Sequence, residues 1–278
     1  MQLTIQRKIL LALATVASGV LLATAGAGVA WALPVDCAVD PVALCVGTNS
    51  DDELEGEDVS DGVRGRQDII KGLGGSDGAD GNNGDDRIFG GDGRDGDATV
   101  NDILSGGEGS DLLDGGRGSD VFMGGADGRD TVLGGPGGDI ELQGNDGNDH
   151  VYGGPGDEEE LKGNAGNDTL KGEDGDDEEV DGGDGNDDVS GGPGDDGDTP
   201  GGDGGLEGGT GNNTVRGNDG DDRIDANDSL QDEVEDIYGG ADDDTIEAVD
   251  GEVDNIDCGP GNDTVNSDAG IDVVAGNC

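Results

Sequence analysis

The sequence predicts an all-β fold in which a short repeat, rich in glycine and aspartate, winds into a parallel β-solenoid. Between residues 106 and 225 each unit opens with Gly, usually carries Asp at its sixth position, and ends in a short tail with one aliphatic residue. Self-similarity at a short fixed period is typical of stacked repeats. In a three-residue strand the central side chain points one way and its two neighbours point the other. We therefore expect a thin apolar column of central residues, which include Leu113, Phe122, Val151, Leu170, Val189, Val215 and Ile224.

The spacing of the units predicts two units per coil. From Gly144 onward, units begin at Gly153, Gly163, Gly172, Gly182, Gly191 and Gly201, so nine-residue and ten-residue steps alternate. Two successive units would make one flattened coil with a turn on each edge. One edge would then carry the nine-residue turns, with Asp149, Asp168 and Asp187, and the other would carry the ten-residue turns, with Asp139, Glu158, Asp177 and Asp196.

These units resemble the repeats of RTX (repeats-in-toxin) proteins, the hemolysin-type calcium-binding nonapeptide repeats. GGEGSDLLD from Gly106, GNDGNDHVY from Gly144 and GNAGNDTLK from Gly163 fit the nonapeptide pattern, and the resemblance covers residues 72–266. It implies a parallel β-roll in which Ca²⁺ lies between turns stacked on one edge, held by the sixth-position carboxylate and by backbone carbonyl groups. Hard oxygen ligands suit Ca²⁺, whereas Mg²⁺ requires tighter octahedral geometry.

Carried over residue by residue, the resemblance assigns calcium ligands in both kinds of unit. The units that match the family pattern contribute Asp86, Asp111, Asp120, Asp149, Asp168, Asp187, Asp222, Asp244 and Asp263. The ten-residue units depart from the family spacing and contribute Asp139, Asp177 and Asp196; whether their edge binds Ca²⁺ as well as the other edge stays open. Two units carry Asn213 and Arg129 at the sixth position, and we expect their sites to be weak or empty.

Composition limits both the partners and the stability of the chain. Asp and Glu total 68 against 13 Lys and Arg, and the net charge of −55 repels nucleic acids and anionic lipid surfaces. Burying one aliphatic side chain contributes about 1.5–3 kcal/mol, whereas ordering the backbone of one residue costs about 1–2 kcal/mol. One aliphatic residue per unit cannot offset that cost. We therefore expect the metal-free repeats to be unfolded and calcium binding to drive their folding.

The first 32 residues have the pattern of a secretory signal peptide. Arg7 and Lys8 precede an apolar core at residues 9–22, and Ala30, Trp31 and Ala32 form an A-x-A cleavage site. The alternative is an uncleaved membrane anchor, because the apolar run extends nearly to the cleavage site. The small residues in its second half favour cleavage. We expect an extracellular protein with no membrane contact after cleavage; attachment to the cell surface is the alternative.

The four cysteines lie at the two ends of the predicted roll. We divide the mature chain into an N-terminal capping segment (33–71), the β-roll (72–257) and a last repeat with a C-terminal cap (258–278). Four cysteines in an exported protein allow three pairings. The local pairing, Cys37–Cys45 and Cys258–Cys278, is favoured because a solenoid keeps its ends apart. Breaks in the period at 95–105, 201–207 and 226–238 are interpreted as drift between repeats.

No catalytic constellation is visible in the sequence. His150 is the only histidine, which excludes a multi-histidine zinc site, and no H-E-x-x-H motif is present. Neighbouring carboxylates such as Glu158 and Glu159 fall in predicted turns rather than in a cleft. The sequence therefore predicts a secreted calcium-binding or structural module. The alternative is an adhesion or envelope-matrix protein, bridged by Ca²⁺ to cell-envelope polysaccharide or to neighbouring copies.

Overall fold

The computed structural model describes residues 35–36, 44–48, 53–55, 67–93, 95, 103–197, 205–227 and 234–278. Within these ranges the regular elements are strands, and no helix is long and apolar enough to cross a membrane. The described strands form two parallel sheets of twelve strands each. We name these sheet A and sheet B.

The strands alternate between the sheets along the chain. Sheet A holds β1 (Val35–Asp36), β3 (Glu53–Glu55), β5 (Gly78–Asp80), β7 (Leu104–Gly109), β9 (Phe122–Gly128), β11 (Glu141–Gly147), β13 (Glu160–Ala165), β15 (Val180–Asp184), β17 (Leu206–Glu207), β19 (Arg223–Asp225), β21 (Thr245–Ala248) and β23 (Thr264–Ser267). Sheet B holds β2 (Leu44–Val46), β4 (Ile69–Gly75), β6 (Arg87–Gly93), β8 (Leu112–Arg117), β10 (Thr131–Leu133), β12 (His150–Tyr152), β14 (Thr169–Lys171), β16 (Asp188–Pro193), β18 (Thr214–Asp219), β20 (Asp236–Ala241), β22 (Asn255–Asp257) and β24 (Val273–Val274).

Two units make one coil. Val132 of β10 pairs with Val151 of β12, and Val151 pairs with Leu170 of β14. Equivalent residues in these neighbouring coils are 19 positions apart, the sum of one nine-residue and one ten-residue unit. The predicted parallel β-roll is confirmed.

Most of the described strands contribute one large buried side chain to the core, because neighbouring residues in a strand point to opposite faces. Sheet A supplies Leu54, Ala79, Leu104, Met123, Leu142, Leu161, Val180, Leu206, Ile224 and Ile246, and sheet B supplies Cys45, Ile70, Ile88, Leu113, Val132, Val151, Leu170, Val189, Val215, Ile237 and Ile256. The interior is therefore two facing columns, one from each sheet, and both are only one side chain wide.

The prediction that Phe122 lies in the core is wrong. Phe122 lies half-buried on the outer face of sheet A, and its neighbour Met123 is fully buried and pairs in register with Leu142. The unit that begins at Gly115 has ten residues, so two residues separate Asp120 from its core residue, as they separate Asp139 from Leu142. The run of apolar residues at 121–123 concealed this register in the sequence.

The turns require glycine where neighbouring coils touch. A methyl group added to Gly166 would lie 1.2 Å from the carbonyl oxygen of Gly147, and one added to Gly147 would lie 1.8 Å from that of Gly128. These glycines occupy the fourth position of successive turns on one edge. A side chain at this position would push the coils apart, which explains why the repeat keeps Gly there.

Several sequence predictions concern residues outside those described. They are the signal peptide, Cys37, and most of the three breaks in the period. At the other end, Cys258 and Cys278 form the expected disulfide. Cys45 is buried in β2 and carries no free thiol.

Candidate metal centre

The sixth residues of the turns stack into two ladders. On edge 1 the chain passes from sheet A to sheet B, and on edge 2 it passes back. The edge 1 ladder contains Asp68, Asp86, Asp111, Asp130, Asp149, Asp168, Asp187, Asn213, Glu235 and Asp254. The edge 2 ladder contains Asp77, Asp95, Asp120, Asp139, Glu158, Asp177, Asp196, Asp222, Asp244 and Asp263.

One oxygen of most ladder aspartates links neighbouring coils. The backbone N–H of Asp149 donates to Oδ1 of Asp168 at 2.7 Å, and that of Asp168 donates to Oδ1 of Asp187 at 2.7 Å. On edge 2 the N–H of Asp177 donates to Oδ1 of Asp196 at 3.0 Å. These bonds fix the orientation of each carboxylate.

The second oxygen of these carboxylates is buried and accepts no hydrogen bond. This holds for the Oδ2 atoms of all twelve predicted ligands, namely Asp86, Asp111, Asp120, Asp139, Asp149, Asp168, Asp177, Asp187, Asp196, Asp222, Asp244 and Asp263, and for that of Asp130. A buried oxygen without a donor is costly unless a cation or a proton satisfies it.

A glycine and a carbonyl group complete the surroundings of each unsatisfied oxygen. A methyl group placed on Gly163 would lie 2.5 Å from Oδ2 of Asp168 and 2.3 Å from the carbonyl oxygen of Gly182 in the next coil. At Gly144 the corresponding distances are 2.7 Å to Oδ2 of Asp149 and 3.0 Å to the carbonyl oxygen of Gly163. Two oxygens thus converge on the space that the glycine leaves open. We call this space the cradle.

Cradles recur along both edges. On edge 1 they are opened by Gly81, Gly106, Gly125, Gly144, Gly163 and Gly182, and on edge 2 by Gly72, Gly90, Gly115, Gly134, Gly153, Gly172, Gly217 and Gly239. Each combines a carboxylate of its own turn with a carbonyl of the next coil. The nine-residue and ten-residue turns form the same arrangement, because the extra residue lies after the carboxylate.

The donor set fits calcium. Carboxylate and carbonyl oxygens are the ligands that Ca²⁺ prefers. Among the described residues no three His, Cys, Asp or Glu side chains converge on a metal position, so a cation here would depend on backbone carbonyls. Asp168 and the carbonyl of Gly182 would hold the ion between coils, and the ion would neutralise the buried charge.

Some ladder residues were missed in the sequence. They include Asp68, Asp77, Asp95, Asp130, Glu235 and Asp254. The expectation that Arg129 occupies a sixth position was wrong, because that turn opens at Gly125 and its sixth residue is Asp130. The unbroken 19-residue spacing from Asp111 through Asp130 to Asp149 was the signal that could have shown this.

Burial raises the pKa of the ladder carboxyl groups. The pKa of Asp168 rises to about 6, that of Asp187 to about 7 and that of Asp222 to about 8, and in each case desolvation is the largest cause. Charged neighbours in adjacent coils raise the pKa values further. The pKa of Glu158 rises to about 11, because it is buried and lies beside Asp177. Without a cation, these carboxyl groups would therefore tend to bind protons.

The cradle geometry predicts the effect of Gly163→Ala. The added methyl group would contact Oδ2 of Asp168 and the carbonyl of Gly182, so we expect the chain to bind about one calcium ion fewer. Equilibrium dialysis with metal analysis would measure the change. The control is Gly276→Ala, whose methyl group has no atom within 4 Å and should leave the ion count unchanged. Equal counts for the two variants would refute a cation at this cradle.

The raised pKa values predict how the metal-free protein responds to pH. Carboxyl groups whose pKa is higher in the folded state stabilise that state fully below their unfolded pKa of about 3.9 and lose this effect as pH rises through the folded pKa. Metal-free protein should therefore gain β structure near pH 4 and lose it as pH rises through about 6 to 8. Circular dichroism of dialysed protein would follow the transition. Identical spectra at both extremes would contradict this assignment.

The comparisons with known proteins agree with this geometry. The sequence model of one protein family, the RTX calcium-binding nonapeptide repeat, matches residues 64–96, 99–128, 141–159, 157–178, 179–197, 201–229, 235–252 and 254–277. A comparison with curated proteins gave no significant match. Because the matched segments cover more than half of the chain and coincide with the stacked turns, the chain belongs to the RTX calcium-binding nonapeptide repeat family.

Proposed function

We propose that this protein is exported and folds around calcium outside the cell, where it acts as a binding or structural module without catalytic activity. The observation that carries the proposal is the repeated cradle, in which a buried carboxylate oxygen without a hydrogen bond faces a carbonyl of the next coil. The calcium-binding repeats and the β-roll support a calcium-dependent structural role. Calcium levels outside cells can load even sites of modest affinity.

The thin core supports a role for calcium in folding itself. The interior columns are one side chain wide, and both edges place carboxylates in neighbouring coils close together. Removing the cations would leave these charges buried and facing one another. The proposed order of events is export of an unfolded acidic chain followed by folding on calcium.

The surroundings of the candidate catalytic groups support a non-catalytic role. His150 lies on the outer face of sheet B, where its ring stacks on Tyr152 with the centroids 6.3 Å apart. Glu158 belongs to the edge 2 ladder and lies beside the cradle of Gly153. The acid beside Glu158 is Asp177 of the next coil, and both are buried in the ladder rather than open to a cleft.

A calcium titration tests the proposed folding switch. Starting from metal-free protein at neutral pH, we expect Ca²⁺ to produce a cooperative gain of β signal in circular dichroism together with a fall in hydrodynamic radius. Equal concentrations of Mg²⁺ should have a much smaller effect, because Mg²⁺ retains its water and requires octahedral ligands. A compact β structure that persists in chelator at neutral pH would sink the proposal.

A second candidate function is calcium-bridged attachment to an acidic polysaccharide of the cell envelope. The outer face of sheet A favours it, because Asp181, Glu207, Asp225 and Glu247 lie side by side on adjacent strands. Burial and the neighbouring carboxylates Asp181 and Asp225 raise the pKa of Glu207 to about 7. We call these four residues the acidic row. Calcium between this row and an acidic polymer would relieve the repulsion on both sides.

Pelleting with isolated cell walls tests this second function. The variant Asp181→Asn, Glu207→Gln, Asp225→Asn, Glu247→Gln should lose calcium-dependent pelleting and keep its calcium-induced folding. The control makes the same charge change on edge 2, with Asp157, Asp176, Asp195 and Asp221 each changed to Asn. These side chains are exposed and accept hydrogen bonds through Oδ1, which Asn retains. Equal pelleting of the two variants would exclude the acidic row as the attachment surface.

A further inference from the structure

Asn213 occupies a ladder position on edge 1 but makes different contacts from the aspartates. Its Oδ1 accepts the backbone N–H of Asp187 at 2.8 Å, as the ladder carboxylates do in their own coils. Its Nδ2 donates to the carbonyl oxygen of Gly209 at 2.9 Å and to Oε1 of Glu235 in the next coil at 3.2 Å. The Nδ2 group of Asn213, which donates two hydrogen bonds, therefore takes the place of the Oδ2 atom that is unsatisfied in the ladder aspartates.

These donors lie at the cradle. A methyl group placed on Gly208 would lie 2.4 Å from Oε1 of Glu235 and 2.7 Å from Nδ2 of Asn213. At Gly182, one coil earlier, the neighbours of the corresponding point are the carbonyl oxygen of Gly208 at 2.4 Å and Oδ2 of Asp187 at 2.8 Å. At Gly208 an amide N–H group thus stands where the other cradles have a carboxylate oxygen, and the carboxylate oxygen of Glu235 that it bonds stands where they have a backbone carbonyl.

The following turns on edge 1 have no open cradle. Leu206 pairs with Ile224 and Ile224 with Ile246, so Ala226 and Ala248 stand in register with Gly208. Both alanines are buried, at 2% and 0% exposure, and their methyl groups occupy the space that glycine leaves open elsewhere. The departure at Asn213 therefore continues through the turns that begin at Ala226 and Ala248.

Edge 2 ends in a similar way. Cys258 stands at the first position of the turn that ends at Asp263, and its carbonyl oxygen contributes to the cradle of Gly239. The Cys258 side chain is fully buried and is bonded to Cys278. A side chain fills the opening at this turn, so a covalent link takes the place of a cradle.

We propose that Asn213 ends the run of calcium sites on edge 1 by serving as a built-in substitute for the cation. Its amide joins the coil of Gly209 to the coil of Glu235 through hydrogen bonds that need no metal. Calcium-loaded turns on this edge extend to Asp187, and the Asn213–Glu235 contact joins the next coils there. On edge 2 the cradles continue to Gly239 and end at the Cys258–Cys278 disulfide. The inference rests on the proposed calcium binding and identifies where it stops.

The first test is the calcium stoichiometry of full-length Asn213→Asp. The introduced carboxylate removes both donors and restores the oxygen pair at Gly208, so we expect about one additional bound ion per chain, measured by equilibrium dialysis. The control is Asn212→Asp, which makes the same charge change at the neighbouring exposed position. A gain in both variants, or in neither, would overturn the proposal when circular dichroism shows that the proteins are folded.

A second variant keeps the proposal testable if Asn213→Asp does not fold. Asn213→Ala removes the clamp without adding a ligand, so the ion count should equal that of the unaltered chain while amide hydrogen exchange in β18 and β20 becomes faster. A loss of about one ion would instead identify the Asn213 amide oxygen as a calcium ligand and overturn the proposal. If the unaltered chain binds no calcium, the proposed function itself fails. If the unaltered chain binds calcium but Asn213→Asp binds no additional ion, only the role proposed for Asn213 is rejected.

Discussion

The structure depends on one contact, in which a buried carboxylate oxygen meets a backbone carbonyl of the next coil across a glycine. Two oxygens that converge without a hydrogen bond repel one another, so the contact is favourable only with a cation or a proton between them. At Asp168 both oxygens lie within 2.5 Å of the point where a methyl group on Gly163 would stand. Under the proposed function, a cation at each cradle neutralises this pair of oxygens and lets the edges of the coils stack, next to apolar columns that are only one side chain wide.

The same contact explains the composition of the repeat. Gly at the first position leaves room for the cradle, and Gly at the fourth position lets the turn backbones approach closely, as Gly147 and Gly166 show. Aspartate at the sixth position is long enough to bond the neighbouring coil through one oxygen and short enough to keep the other at the cradle. Repeating this one site adds an acidic residue at almost every turn and so contributes to the net charge of −55.

Periodicity predicted the fold and most of the ladder positions, and it failed where spacing was ambiguous. Leu170 and Val189 could be placed in the core because each is a single apolar residue between polar neighbours. Phe122 could not be distinguished from Met123, since residues 121–123 are all apolar and only the paired strand sets the register. Asp130 was missed for a related reason, because consecutive glycines at 124 and 125 allow two starting points for the same turn.

The role of Asn213 shows what a sequence pattern leaves undetermined. The repeat alone marks this position as a departure and predicts a weak or empty site, but it does not indicate what replaces the ion. The structure supplies the partner, Glu235, which is 22 residues away across a break in the period. An amide in place of one carboxylate changes a repulsive pair of oxygens into a donor and an acceptor. Under the proposal, this isosteric change replaces a contact that requires calcium with one that does not, and its position sets where the calcium sites of edge 1 end.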